Sequence, residues 1–151
     1  MIKIIGLGDI LKCDDGFGIY VLGELMKHEL PSNVLLIDGG KGEIEIANYL
    51  EGADKIIIID AVSSGDTPGR IFRFSLDQFQ ACDCSAYFLH YINLHQTLEI
   101  GKTKPLPEIV FYGVEIQKVE EGMALSPEVY EALQKVVGLI LSELGVSLYS
   151  I

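Results

Sequence analysis

The chain has 151 residues, 49% of them apolar, which suits a single domain over residues 1–151 built on one hydrophobic core. A formal net charge of -11, with no Lys/Arg-rich cluster, disfavours nucleic acid as a partner, because that binding rests on neutralising phosphates. No apolar run approaches the roughly 20 residues of a membrane span, and Met1 leads directly into an apolar strand rather than a secretory leader, so a cytoplasmic protein without membrane insertion is expected.

Ile2-Lys3-Ile4-Ile5-Gly6-Leu7 reads as a first strand that breaks at Gly8-Asp9. Ile19, Leu22, Leu25 and Met26 then recur at helical spacing, predicting a helix from about Gly16 to Glu29, closed by Pro31. Asp14-Asp15 lies just before it, where a cap and the helix dipole favour negative charge. A second strand, Val34-Leu35-Leu36-Ile37, stops at Asp38-Gly39-Gly40, and Ile44, Ala47 and Leu50 suggest a second helix. The third strand, Lys55-Ile56-Ile57-Ile58-Ile59, stops at Asp60. Two successive βαβ units make these strands parallel.

Arg70 to Phe74 reads as a fourth strand, reached through a connection too short for a parallel crossover, and is therefore expected to be antiparallel and at an edge. A helical region from about Tyr87 to Ile100 and a fifth strand from Ile109 to Val114 follow. Ser126-Pro127 is a good start for the last helix, whose Val129, Leu133, Val136, Val137, Ile140 and Leu144 form an apolar stripe. The expected fold is a three-layer α/β domain: a mostly parallel five-stranded sheet of order 2-1-3-5-4, strand 4 antiparallel, with helices on both faces. Cys13, Cys82 and Cys84 are odd in number, and Cys82-Asp83-Cys84 is too close-set for a relaxed disulfide, so reduced thiols are expected.

Parallel strands present ligands beyond their carboxyl ends. Asp15, Asp38 and Asp60 therefore share one rim, and with the first and third strands adjacent, Asp15 and Asp60 face each other. Each has a plainer role available: Asp14 or Asp15 as a helix cap, Asp60 as an acceptor for loop amides, Asp38 as a turn residue before Gly39-Gly40. His90 shares a helical face with Tyr87, Leu94 and Leu98, whereas His95 lies about 140° around at ~100° per residue. His28 is at the wrong end of the topology. Two carboxylates and an imidazole suit a borderline or hard cation with positions left open for a substrate.

At these residues the chain resembles the nickel-iron hydrogenase maturation endopeptidases, which trim the C-terminal extension of a hydrogenase large subunit. The family's opening Gly-x-Gly-Asn-x-Leu-x-x-Asp-Asp/Glu-x-x-Gly is similar to Gly6-Leu7-Gly8-Asp9-Ile10-Leu11-Lys12-Cys13-Asp14-Asp15-Gly16-Phe17-Gly18. Its Asp-Gly-Gly-Thr-x-Gly stretch resembles Asp38-Gly39-Gly40-Lys41-Gly42-Glu43, its strand-ending Asp-Ala resembles Asp60-Ala61, and its histidine precedes leucines as His90 precedes Leu94 and Leu98. Gly113-Val114-Glu115 before Ser126-Pro127 also matches.

The resemblance implies Asp15, Asp60 and His90 as metal contacts, and Asp38, Gly39 and Gly40 as substrate contacts. It implies peptide hydrolysis on a large-subunit precursor, directed by nickel that the substrate supplies and the isolated enzyme, expected to be a monomer, does not hold tightly. The chain departs from the pattern at Asp9, where Asn is usual, at Lys41, where Thr is usual, and at Phe88-Leu89, which replaces a Ser-containing run before the histidine. No Ser or Cys nucleophile with a basic partner is evident, since Cys13 adjoins two acids.

Two readings of other classes compete. Gly6-x-Gly8 after a strand and Asp38 at the end of the next suit a dinucleotide-binding module, although Leu11 stands where that fingerprint has its third glycine and Asp14-Asp15 would repel pyrophosphate. A non-catalytic flavodoxin-like binding module would use the acidic rim for docking.

Overall fold

Strands with long uninterrupted isoleucine runs must be covered on both faces, and the fold follows from that requirement. The computed structural model describes residues 1–146. In chain order the elements are β1 (Ile2–Gly6), α1 (Phe17–Leu25), β2 (Val34–Asp38), β3 (Ile44–Glu45), β4 (Lys55–Val62), β5 (Ile71–Ser75), α2 (Leu76–Ala81), β6 (Ile92–Asn93), α3 (His95–Gly101), β7 (Glu108–Glu115) and α4 (Pro127–Glu143). The main sheet has the order β2-β1-β4-β7-β5, parallel throughout except for β5 against β7. Counted among its five strands, this is the expected 2-1-3-5-4 order, with the antiparallel strand at the edge.

Alternation along β4 divides the core. Ile57 and Ile59 pack with Phe17, Val21, Leu133 and Val136 under α1 and α4, while Ile56 and Ile58 pack with Phe79, Phe88 and Phe111 on the other face. The first turn of α1 sits tightly against the sheet because two glycines permit it. A Cβ on Gly18 would lie 2.3 Å from the Leu7 carbonyl oxygen and 2.4 Å from that of Ile59, and one on Gly6 would lie 2.3 Å from the Gly18 carbonyl oxygen. This contact fixes the residues just before α1 over the carboxyl ends of β1 and β4.

Several boundaries differ from the sequence expectation. The first helix begins with a 3-10 turn, Cys13–Gly16, and α1 ends at Leu25 rather than Glu29. The helix expected around Ile44, Ala47 and Leu50 is instead β3 followed by a 3-10 turn, Ile46–Tyr49, with Ile44 and Ile46 both buried as on a strand. The third sheet strand continues past Asp60 to Val62. The helix expected from Tyr87 to Ile100 divides into a 3-10 turn, Cys84–Tyr87, an extended segment containing β6, and α3. Helix α2 has no counterpart in the sequence expectation, although Ser75 and Gln78 form a reciprocal capping box that marks its start. Cys82 and Cys84 are brought close together, their Cα atoms 5.1 Å apart across the left-handed Asp83, and Cys13 is buried. Among the described residues no helix is long and apolar enough to cross a membrane.

Asp14 is fully buried and serves the fold. It does not cap the helix that follows it. Its carboxylate accepts from the backbone N–H groups of Gln117, Lys118 and Ser126 at 2.9, 3.0 and 2.7 Å and from the Ser126 hydroxyl at 2.8 Å. It thereby ties the turn before α1 to the loop that enters α4. Asp14→Ala should lower unfolding free energy by roughly 3 to 5 kcal/mol, since four donors, the two of Ser126 buried, lose a charged acceptor together. Urea denaturation of this variant beside wild type measures the loss; a change below about 1 kcal/mol would contradict the stapling role.

Candidate active site

The carboxyl ends of β1 and β4 bring three of the sequence-predicted residues together. Asp15 comes from the 3-10 turn that Gly18 seats against the sheet, and Asp60 from within β4. His90 lies in an extended stretch beside the end of β4, where the Leu89 N–H donates to the Ala61 carbonyl at 3.0 Å and Phe88 bridges Val62. It is therefore placed by strand-like pairing and not by the helical face expected for it.

Asp60 has no exposed surface and commits both oxygens to His90. Oδ2 accepts from the His90 backbone N–H at 2.9 Å, and Oδ1 lies 2.7 Å from Nδ1. On the other side of the ring, Nε2 stands 3.3 Å from Asp15 Oδ1. That same Asp15 oxygen accepts from the Asp9 N–H at 2.8 Å. The three side chains thus form a line, carboxylate–imidazole–carboxylate, and do not surround a common point. Among the described residues no group of three or more His, Cys, Asp or Glu side chains is arranged to hold a metal ion.

The electrostatics follow from this line. Burial raises the Asp60 pKa above its ordinary value, while the hydrogen bonds and charge of His90 pull in the opposite direction. For His90, burial disfavours the imidazolium, but Asp60 and then Asp15 more than offset it, and its pKa rises above the ordinary 6.5. The ring is a place where positive charge is favoured between two acids.

A cleft of ≈ 350 Å³ opens onto this line, bounded by Asp9, Lys12, Asp15, Lys41 and His90. His28 and His95 do not line it. Asp38, expected as a substrate contact, is exposed at the end of β2 and accepts from the Gly40 N–H at 2.8 Å, closing its own turn. Gly39 donates to the Gly6 carbonyl and Gly40, at φ 83°, accepts from Gly8, so the pair fastens the second loop to the first. It is the next residue, Lys41, that reaches the cleft, its Nζ 3.9 Å from Asp9 Oδ2. In the sequence Asp9 and Lys41 stand out only as departures from a pattern, and Lys12 carries no signal of its own.

Comparison with known proteins bears on this arrangement. The model of the hydrogenase maturation protease family matches residues 19–143, which contain Asp60 and His90, with Asp15 just outside. The delta subunit of coenzyme F420 hydrogenase from Methanothermobacter thermautotrophicus is 32% identical over 158 aligned residues, covering 97% of this chain and 96% of that protein. A hydrogenase expression/formation protein of Bradyrhizobium diazoefficiens is 41% identical over 71 residues, but the match spans only 46% of this chain and 37% of that longer protein. Among solved structures, the hydrogenase 2 maturation peptidase from the Thaumarchaeota archaeon SCGC_AB-539-E09 superposes with a TM-score of 0.72 at 30% identity, covering 97% of this chain and 99% of that one. A [NiFe] hydrogenase maturation protease from Thermococcus kodakarensis superposes with a TM-score of 0.74 at 25% identity, covering 95% and 98%.

With burial opposing the imidazolium and Asp60 the strongest influence in its favour, the His90 ring should titrate above 6.5 in the wild-type chain. Asp60→Asn should move that midpoint down, because burial then acts against the imidazolium with less opposition. A pH titration of the ring resonances by NMR reads both; an unchanged midpoint in the variant would mean that the buried carboxylate does not govern the ring.

Proposed function

The chain belongs to the hydrogenase maturation protease family, and from that premise we propose that it is the endopeptidase that removes the C-terminal extension of a nickel-iron hydrogenase large-subunit precursor after nickel has been inserted. The observation that carries this reading is the line Asp15–His90–Asp60 at the mouth of a cleft. A cation held between two carboxylates is what that line already contains when His90 is protonated. A divalent ion presented by the substrate competes for the proton on the rim side of the ring, meeting Nε2 of His90 and an oxygen of Asp15, while the buried Asp60 holds the ring from Nδ1.

Nickel here belongs to the substrate. The donors on the enzyme are few and internally satisfied, so an isolated ion gains little from them, whereas an ion that arrives with part of its coordination already supplied by the precursor needs only the remainder. Once so placed, the ion would polarise the scissile carbonyl or an attacking water, and the geometry would tell a loaded precursor from an empty one. The free thiol Cys13 is buried and does not line the cleft, so no thiol nucleophile enters this reading. The chain is read as a cytoplasmic monomer acting on the precursor, its strong negative charge favouring solubility over self-association.

Incubation with nickel-loaded and nickel-free precursors, followed by mass measurement of the released tail, tests the proposal. Only the loaded precursor should be cut. Asp15→Asn and Asp60→Asn should each reduce processing on the order of 100-fold or more while the fold is kept, as expected for lost ligands or their closest partners. Cys13→Ser should retain most activity. Equal cutting of nickel-free precursor would end the metal-directed reading.

Cleavage should also rise with pH through the His90 midpoint. The raised pKa keeps the ring protonated to higher pH, and a protonated nitrogen offers the ion no lone pair. A rate falling across that interval would contradict competition between proton and metal.

A further inference from the structure

The cleft holds two cations that the line of acid and imidazole does not use. Lys12 follows β1 and Lys41 follows β2, and both bound the cavity together with Asp9, Asp15 and His90. The whole chain carries 11 basic and 22 acidic side chains, so a cleft with two lysines against two aspartates is far less negative than the molecule as a whole. The two acids are also already engaged: Asp15 with the Asp9 amide and His90, and Asp9 with the Leu11 N–H at 3.0 Å. Lys41 is loosely held, its side chain 72% exposed and 3.9 Å from Asp9. Lys12 makes no ion pair among the described residues.

The strand order gives the cleft a direction. In β2-β1-β4, Lys41 stands beyond β2, whereas His90 is held at β4 through Asp60. A peptide crossing the cleft would meet Lys41 at the end away from the imidazole line and Lys12 along the loop that carries Asp15. We propose that Lys12 and Lys41 form an anion-binding subsite for a carboxylate on the segment that cleavage releases. This rests on the protease reading, under which the released piece necessarily ends in a carboxylate and can carry acidic side chains as well. Long flexible lysine stems suit such a partner, since they follow a carboxylate whose position varies between peptides.

Binding can be separated from cleavage in the test. The ¹⁵N-labelled full chain is titrated by NMR with a synthetic peptide of about twelve residues bearing one Asp and a free C-terminus. Three companions have the Asp replaced by Asn, the C-terminus amidated, or both. The charged peptide should shift the Lys12 and Lys41 amides, and K12A/K41A should weaken it about five- to tenfold, as two exposed ion pairs allow. K41R, which keeps the charge, should bind as wild type. Whichever single companion loses affinity identifies the side-chain or the terminal carboxylate as the one read.

With nickel-loaded precursor, the double variant should raise KM by a similar factor and leave kcat within about twofold, because the lysines touch the departing segment and not the reacting bond. The subsite is overturned if the doubly neutral peptide binds as tightly as the charged one, or if the double variant binds the charged peptide like wild type. A chain that binds the charged peptide through its lysines yet never cuts loaded precursor would overturn the protease reading and leave the subsite standing.

Discussion

The site depends on one buried carboxylate. Asp60 has no exposed surface, and an ionised side chain in that position is costly unless its oxygens are satisfied. Both are, and both by the same residue thirty positions away, through the backbone N–H and the ring of His90. A single side chain therefore fixes the path of the backbone at residue 90 and the orientation of the imidazole attached to it. Removing the carboxylate would leave the buried ring without its closest acceptor, and removing the imidazole would leave Asp60 with only the backbone N–H groups of Ala61 and residue 90.

Asp14 and Asp15 show how adjacent identical residues acquire different work. The 3-10 turn directs one carboxylate inward, where four hydrogen bonds from the loop before α4 take it up, and leaves the other at the rim facing His90. The close approach at Gly6 and Gly18 lets that turn sit low over β1 and β4. Structure and chemistry are thus separated by one residue, and the inward acid keeps the loop around the outward one in register.

The isoleucine runs and the short connection before Arg70 carry the sheet order, because burial on both faces and the minimum length of a crossover leave few alternatives. The aspartates at the strand ends are legible for the same reason. His90 falls in the right region by the wrong periodicity. Its spacing to Leu94 and Leu98 suggests a helix, but Phe88, His90 and Ile92 are buried while Tyr91 is 63% exposed, a period of two that belongs to a strand. That signal is present in the sequence and competes with a helical one over a stretch too short to decide between them. The linear order of the three side chains is not legible at all, since it depends on which atom of Asp60 meets which atom of His90. The left-handed Asp83 that draws Cys82 and Cys84 together is equally hidden, being a matter of backbone rotation at one residue.

The same linear order also bears on how such a site can be selective for a loaded substrate. Two carboxylates flanking an imidazole satisfy one another through a shared proton, so the site on its own has little to gain from a hydrated ion that must first lose water. An ion delivered within a folded precursor changes that balance, because part of its coordination is already in place and the ordering of the peptide is shared with the cleft. On the proposed reading, the proton on His90 is therefore a competitor that only a well-placed cation can displace. If that reading holds, the enzyme would not need to store a metal; it would hold open, with a proton in the meantime, a position that a substrate-borne nickel ion could fill.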